Sequence, residues 1–271
     1  MKLSSRDLQV LGDAYEKLEN PSLVIRISSA VGMPVEAVTR ELGKRAPDAV
    51  VEAVSESTNK AIEFVLQSSM RSITSETEAE ASPRLHTAAA MTTGAVAGFF
   101  GLGTLIVELP LTTGIMFRSI ADIARAEGES PQDPETVLNC MQVFAMGSRA
   151  TDKDDAAETS YYGVRVALSK AVADALQYVA AHGAGSASAP ALVRLVTALA
   201  SRFGIVVTQK AMAQTIPVIG AIGGGLVNTV FISHFQDMAR AHFAIRRLER
   251  QYGEEIVRDT YQELRSPESS G

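Results

Sequence analysis

Residues 47–73 read PDAVVEAVSESTNKAIEFVLQSSMRSI, and this stretch decides the class of fold. After the proline, apolar side chains recur at intervals of three and four residues, which is the spacing of a helix with one buried face. The pattern predicts a long amphipathic helix that begins just after Pro47. The apolar positions are Val50, Val51, Val54, Ala61, Ile62, Val65, Leu66 and Ile73.

Prolines and glycines divide the rest of the chain into further segments of this kind. Five prolines come just before helix-like stretches, where the missing N–H is not needed and the fixed φ favours a helix. Five glycines stand where such stretches stop, as expected of residues that readily adopt the left-handed conformation. Since no segment alternates convincingly between apolar and polar residues, the sequence predicts an all-α fold, a multi-helix bundle. The prolines are Pro21, Pro34, Pro47, Pro134 and Pro190, and the glycines are Gly32, Gly43, Gly128, Gly183 and Gly253.

The composition disfavours several classes of protein. The chain of 271 residues is long enough to bury a large core, and its net charge of −6 disfavours nucleic-acid partners, because phosphate contacts need a basic surface. The single cysteine, Cys140, cannot form an internal disulfide and fits a reducing compartment. The first residues lack the apolar stretch of a signal peptide. We therefore expect a cytoplasmic protein, with or without membrane contact.

Two long runs contain no charged residue. They read TAAAMTTGAVAGFFGLGTLIV at 87–107 and AMAQTIPVIGAIGGGLVNTVFIS at 211–233. Each is long enough to cross a bilayer, which takes about 20 residues in a helix. Both also carry small residues four positions apart, such as Gly94 and Gly98, which allow two helix backbones to approach closely. The sequence therefore predicts two glycine-rich apolar helical segments that pack together at the centre of the bundle.

The flanks of the first run disfavour a stable membrane span. The run ends in Glu108, no cluster of lysine or arginine lies beside it, and its only aromatic residues, Phe99 and Phe100, lie in its middle. A spanning helix favours basic residues on the cytoplasmic side and aromatic residues at both interfaces. The second run is interrupted by Pro217. We expect peripheral contact with the inner face of the membrane around Phe99 and Phe100.

A first series of polar residues follows the first run directly, in ELPLTTGIMFRSIADIAR at 108–125. Pro110 is expected to start a helix on which Arg118 and Asp122 lie one turn apart and can pair. Glu108 either caps that helix through backbone N–H groups or forms part of a buried ionisable site. Glu108 and Asp122 are candidate catalytic residues, and Arg118 is a candidate binding residue.

A second polar series follows the second run on one long helix. His234 and Asp237 are three positions apart, so the imidazole can donate to the carboxylate, and both are candidate catalytic residues. Asn228, Arg240 and His242 are candidate binding residues. The two histidines are eight positions apart, whereas a metal site on a helix needs a spacing of about three or four. No metal site is therefore predicted and no cofactor is assigned. The alternative is a polar helix whose groups are satisfied by neighbouring helices.

Long stretches around both polar series resemble the EcsC family of bacterial proteins. The resemblance covers nearly the whole chain, including its N-terminal part. Its central motifs are FFGLG at 99–103, ELP at 108–110 and RSIADIARAEG at 118–128, its C-terminal motifs are IPVIG at 216–220, HFQ at 234–236 and RRLE at 246–249, and its N-terminal ones are ENP at 19–21 and GMP at 32–34.

The resemblance implies one helical domain over residues 1–265. We divide it into an N-terminal helical part, 1–82, and a core, 83–265, that holds both polar series, and we expect residues 266–271 to be a disordered tail. The family is named after a bacterial operon that also encodes an ABC transporter, and it has no agreed biochemical activity. The resemblance suggests a membrane lipid or a membrane protein such as a transporter subunit as the partner, and it transfers no catalytic role.

Functions from different classes remain open at this point. The first is a non-enzymatic, membrane-proximal accessory protein, which rests on the uncharged runs and on the resemblance. The second is a hydrolase or metal-dependent enzyme in which Glu108, Asp122, His234 and Asp237 gather at one buried site, where function and perturbed pKa values tend to coincide. A carrier of a small molecule or lipid is a third. The second hypothesis is distinguished from the others by whether the carboxylates of Glu108 and Asp122 and the ring of His234 lie within a few ångströms of one another around a cavity.

Overall fold

The computed structural model describes residues 2–20, 22–42, 44–74, 105–147, 160–182, 189–216, 219 and 224–265. Within these ranges the protein consists of ten α-helices and one short 3₁₀ helix, without a β-strand, so the prediction of an all-α fold is confirmed. The helices are α1 (Ser5–Glu19), α2 (Leu23–Val31), α3 (Val35–Leu42), α4 (Asp48–Thr74), α5 (Leu105–Ala126), α6 (Pro134–Gln142), the 3₁₀ helix (Val143–Ala145), α7 (Tyr161–His182), α8 (Pro190–Gln214), α9 (Gly224–Tyr252) and α10 (Glu254–Arg265). Most of the first uncharged run, part of the second and the tail lie outside the described residues.

The helix predicted after Pro47 is α4, which begins at Asp48. Val54, Ile62 and Leu66 from its apolar series are buried in the core. Val51 belongs to the same series by spacing but is 51% exposed. The periodicity therefore located the helix and most of its buried face.

The predicted start and stop signals are confirmed where the structure describes them. Pro134 and Pro190 are the first residues of α6 and α8, and Gly32, Gly128 and Gly253 end helices with φ angles of 68°, 86° and 96°. These angles lie in the left-handed region, which glycine adopts without steric strain. Pro21, Gly43 and Gly183 lie outside the described residues.

Pro110 corrects one expected boundary. It lies inside α5, which begins at Leu105, instead of starting a helix. Proline has no N–H, so α5 lacks one of its internal hydrogen bonds at this position. The earlier start places Glu108 in the first turn of α5, where the positive end of the helix dipole favours a carboxylate.

The longest helices pack around α8 and α9. α8 contacts α4 and α7, α9 contacts α1, α2, α5 and α10, and α4 pairs with α5. Phe203 of α8 packs against Phe144, Phe231 and Phe235, with ring centroids 5.1, 6.1 and 5.5 Å away. These aromatic contacts join α8, α9 and the 3₁₀ helix in one core.

Among the described residues, α8 is the helix that is long and apolar enough to cross a membrane. It has 25 residues, and its most apolar window has a mean hydropathy of 1.6, with 44% of that window buried inside the protein. Leu195, Leu199 and Phe203 on its buried side belong to the core. Packing against α4 and α7 favours the interpretation of α8 as a core helix.

Candidate functional site

The candidate site is a buried ion pair that joins three helices, which we call the Lys210 cluster (Glu108, Lys210, Asn228). The Lys210 side chain is 1% exposed and that of Glu108 is 11% exposed. The Lys210 Nζ atom donates to Asn228 Oδ1 at 2.9 Å and to Glu108 Oε1 at 3.3 Å. It also lies 4.9 Å from the centre of the Phe231 ring, within the range of a cation–π contact.

The helices supply these groups at favourable positions. Glu108 lies in the first turn of α5, Lys210 lies towards the end of α8, and Asn228 lies near the start of α9. A carboxylate near a helix N-terminus and an ammonium near a C-terminus both interact favourably with the helix dipole. The cluster therefore connects the ends of three helices through one ion pair and one hydrogen bond.

Burial dominates the electrostatics of Lys210. Desolvation lowers its pKa, because removal from water disfavours the charged form, and the Glu108 carboxylate opposes this shift. A lysine with a lowered pKa can act as a base or nucleophile when a substrate reaches it. In the described structure, however, the ammonium is enclosed by two oxygen acceptors and an aromatic ring. This geometry is that of a structural contact between helices in which the charge of Lys210 is neutralised by Glu108.

The Glu108–Lys210 pair joins the residues that border the two uncharged runs. Glu108 directly follows the first run, at 87–107, and Lys210 directly precedes the second, at 211–233. The pair links them across 102 positions of the sequence at a distance of 3.3 Å. The packing expected between the glycine-rich parts of the two runs concerns residues that lie mostly outside the described ranges and stays a prediction.

His234 is buried beside Gly147, at the end of the segment that follows the 3₁₀ helix. Its Nε2–H donates to the Gly147 carbonyl at 2.9 Å, which fixes the neutral tautomer with the proton on Nε2. Burial lowers the pKa of His234 to about 4. A Cβ atom at Gly147 would lie 2.8 Å from Phe235 Cε1 and 3.1 Å from His234 Nε2, so this close approach requires glycine.

Asp237 takes partners other than His234. The spacing allows the imidazole of His234 to donate to its carboxylate, but that N–H goes to Gly147, as in the alternative of a polar helix satisfied by its neighbours. Asp237 instead pairs with Arg26 of α2 at 2.7 Å and with Arg240 at 2.8 Å. Asp237 therefore attaches α2 to α9 through Arg26, and Arg240 on α9 joins the same ion-pair network.

His242 belongs to a separate buried cluster around Tyr161. The Tyr161 hydroxyl lies 2.9 Å from His242 Nδ1, and Arg165 donates to the same hydroxyl oxygen at 3.3 Å. Whether the Tyr161 hydroxyl or the imidazole donates in the first of these contacts depends on the tautomer of the imidazole. Burial lowers the pKa of His242 well below its ordinary value. Arg165 in turn pairs with Glu249 at 2.5 Å.

The structure separates the two candidate carboxylates of the first polar series. Asp122 lies fourteen residues after Glu108 on α5, which is roughly 21 Å along a helix. Within the described residues, the ion pair of Asp122 is with Arg125 at 3.3 Å, and not with Arg118 as we expected. Arg118 is exposed and lines a groove between α4, α5 and α6.

A comparison with models of protein families identifies the family of the chain. The model of the EcsC protein family matches residues 26–248 of the chain. The chain belongs to the EcsC protein family. The matched region contains the whole Lys210 cluster, His234 and Asp237, so this EcsC protein carries all the candidate residues inside the family region. Comparisons of the chain with curated proteins and with solved structures found no match.

The structure brings together some candidate residues of this EcsC protein and separates others. Glu108 and Asn228 meet at Lys210, while Asp122, Asp237 and His242 each belong to a different set of contacts. Within the described ranges, no three histidine, cysteine, aspartate or glutamate side chains are grouped as a metal site would require.

Sequence reasoning missed Lys210, which is the centre of the site. The signal was present, because Lys210 is the only lysine, arginine, aspartate or glutamate between Arg202 and Asp237. A lone charge in so apolar a segment must be paired if it is buried. Glu108, which borders the other uncharged run, was one of the carboxylates that could pair with it.

Proposed function

We propose that this EcsC protein is a non-enzymatic, membrane-proximal accessory protein whose uncharged runs contact lipid or an integral membrane partner. The observation that carries the proposal is the Glu108–Lys210 pair, in which the charged residue that follows the first run and the one that precedes the second neutralise each other. An unpaired charge is costly in an apolar layer, whereas a pair is tolerated. Both runs can therefore approach such a layer without presenting a lone charge at these positions.

The net charge of the protein favours apolar over electrostatic contact with a membrane. With a net charge of −6, the protein gains nothing from attraction to anionic lipid. Contact through Phe99, Phe100 and their apolar neighbours would instead depend on apolar burial, which salt does not screen. Binding that persists at high salt is the expected signature.

The enzymatic alternative needs Glu108, Asp122, His234 and Asp237 around one reaction centre. The roughly 21 Å between Glu108 and Asp122 along α5 argues against this particular constellation. Asp237 is further engaged by two arginines, and the polar N–H of His234 is directed to a backbone carbonyl. These contacts favour structural roles for both residues.

Flotation with lipid vesicles tests the proposal. The purified protein should float with vesicles of phosphatidylcholine and phosphatidylglycerol at low and high salt. The double substitution Phe99→Asp and Phe100→Asp should leave it at the bottom of the gradient. Val166→Asp is the matched control, because Val166 is 71% exposed on α7 and lies outside both runs. This control should float like the unmodified chain.

Washing of bacterial membranes with carbonate gives the second measurement. Peripheral association predicts release into the supernatant, whereas retention in the pellet would contradict the absence of a stable span. Binding to native membranes but not to pure lipid vesicles would identify a membrane protein as the partner. A protein found on neither native membranes nor vesicles would overturn the proposed function.

A further inference from the structure

A groove of about 290 Å³ lies between α4, α5 and α6. Phe64 of α4 and Leu111 of α5 line it and are half exposed, at 49% and 50%. Val137 and Cys140 of α6 line it as well and are buried. The volume lies just below the usual range for small-molecule sites, roughly 300–1,000 Å³. It suits a single narrow alkyl chain better than a lipid with two chains.

The groove is open beside Gly114, where a side chain would narrow it. A Cβ atom there would lie 3.3 Å from Phe64 Cε1, which is a tight contact. Because residue 114 has no side chain, the aromatic ring of α4 can approach α5 while the groove stays open beside it. The apolar walls and the missing side chain together form a space shaped for a chain of methylene groups.

Arg118 supplies a positive charge to this apolar groove. It lies one turn after Gly114 on α5, it is exposed, and it is the only charged side chain among the described residues that line the groove. No hydrogen bond or ion pair engages Arg118 within the described part of the chain, whereas Arg125 on the same helix pairs with Asp122. A guanidinium group without a partner can receive a carboxylate or phosphate in a bidentate geometry.

We propose that this groove binds a single-chain amphiphile with an anionic head group, such as an alkyl phosphate or a fatty acid. The alkyl chain packs against Phe64, Leu111 and Ile115, and the head group binds Arg118. The groove lies outside both uncharged runs, so the proposal goes beyond the membrane contact proposed above and does not depend on it.

Calorimetric titration of the full chain with decyl phosphate below its micelle concentration tests the site. Two further ligands separate the contributions, because decyltrimethylammonium has the same tail with a positive head and inorganic phosphate has the head group alone. We expect decyl phosphate to bind at one site per chain and both other ligands to bind at least tenfold more weakly. Comparable binding of either one would overturn the proposal, as would no binding of decyl phosphate.

Two arginine variants locate the head group. Arg118→Gln should weaken the binding of decyl phosphate roughly fivefold, the upper range for an exposed ion pair, and Arg125→Gln should change it by less than about twofold. Equal effects of the two substitutions would contradict a specific role of Arg118. Both side chains are exposed, so unchanged thermal midpoints are expected and serve as the check on folding.

A tryptophan reporter locates the tail. The chain contains no tryptophan, so Leu111→Trp places a single indole at the edge of the groove. A decyl phosphate analogue brominated on its chain should quench this indole, and the Arg118→Gln substitution should shift the quenching curve to higher ligand concentration. Val166→Trp, on α7, is the control and should not be quenched. Equal quenching at both positions would indicate general adsorption and overturn the site. Vesicle flotation is independent of all these outcomes, so failure here leaves the proposed function standing.

Discussion

Lys210 places a positive charge in the protein core, and Glu108 stabilises this charge. Lys210→Met would leave the Glu108 carboxylate without its counter-charge at a site only 11% exposed. The net contribution of a buried ion pair to stability is small, because burial desolvates both charges. Removing one partner costs much more, because the remaining charge is still desolvated and has no counter-charge. We expect a loss of about 3 kcal/mol in the free energy of unfolding, measured by denaturant titration.

A double-mutant cycle with Glu108→Gln separates this pair from general packing effects. Glu108→Gln should be milder than Lys210→Met, because the buried amine can release its proton once the carboxylate is gone. The double variant should be less destabilised than the sum of both single variants. The exposed pair Lys60–Glu56 is the control, and Lys60→Met should cost less than about 0.5 kcal/mol. Strict additivity at Glu108 and Lys210 would show that the pair is not coupled.

His234 makes the stability of the protein dependent on pH. Its pKa in the folded protein is about 4, below the ordinary 6.5, so the folded state binds fewer protons between these values. The free energy of unfolding therefore rises with pH in this window and falls on acidification. From pH 7 to pH 5 the contribution of His234 falls by about 2 kcal/mol. His242 contributes with the same sign.

Denaturant titrations at several values between pH 5 and pH 7 check this prediction, and this window avoids most carboxylate titration. His234→Gln can still donate to the Gly147 carbonyl, so its unfolding free energy should vary less with pH than that of the unmodified chain. The exposed His182 provides the control, and His182→Gln should leave the pH dependence unchanged. An identical pH dependence in His234→Gln would contradict the assignment.

At the scale of elements, the connection between α5 and α6 is attached to α9 through Glu129. Its carboxylate accepts from Arg246 Nε at 2.9 Å and from Thr136 Oγ1 at 3.3 Å, and it also pairs with Arg250. Burial alone raises the pKa of Glu129, but the hydrogen bond and the charge of Arg246 hold the net pKa below its ordinary value. The carboxylate is therefore stabilised in its charged form.

Glu129→Gln should destabilise the protein by about 1.5–3 kcal/mol, the range for hydrogen bonds to a charged group. Glu135→Gln is a close control, because Glu135 binds the same Arg246 at 3.2 Å but its side chain is 54% exposed rather than 8%. Thermal and denaturant unfolding should show a loss below about 1 kcal/mol for this control. Similar losses in both variants would mean that burial does not set the strength of these pairs.

Local signals in the sequence predicted the helices better than they predicted the contacts of the site. Periodicity and proline placement located α4, α6 and α8, because these signals act within one or two turns of the chain. Pro110 was assigned wrongly, since a proline is compatible both with a helix start and, at the loss of one hydrogen bond, with an interior position. The choice between them depends on packing that the local sequence does not contain.

The contacts of the site join residues that are distant in the chain. Lys210 and Glu108 are 102 positions apart, and His234 and Gly147 are 87 positions apart. Spacing along one helix suggested the pairs Arg118–Asp122 and His234–Asp237, but the described contacts use other partners. Only the topology of the bundle brings the true partners within hydrogen-bonding distance. The burial of Lys210 was open to prediction from its isolation in an apolar segment, whereas its partner was not unique.

At the scale of the whole molecule, α1 and α10 lie outside the region that matches the EcsC family, at 26–248. Both pack on α9 and contact each other. The Tyr261 hydroxyl donates to Glu19 Oε1 at 2.8 Å, and the rings of Tyr15 and Tyr261 lie 5.0 Å apart. The two terminal helices therefore form one layer over the family region.

This layer should open as a cooperative unit, separately from the core that contains α4. Tyr261→Phe removes the donor to Glu19, while Glu19 still accepts from the Tyr161 backbone N–H at 3.1 Å. The loss of a hydrogen bond of this kind, about 1 kcal/mol, should speed amide exchange in α1 and α10 together by roughly fivefold. Exchange in α4 should stay unchanged, as measured by mass spectrometry of native-state hydrogen exchange. Tyr178→Phe on α7, where the ring stacks on His182 with centroids 4.7 Å apart, is the control and should alter neither terminal helix. Faster exchange in α10 alone would mean that the two helices open independently, and faster exchange throughout the chain would mean that they unfold with the core.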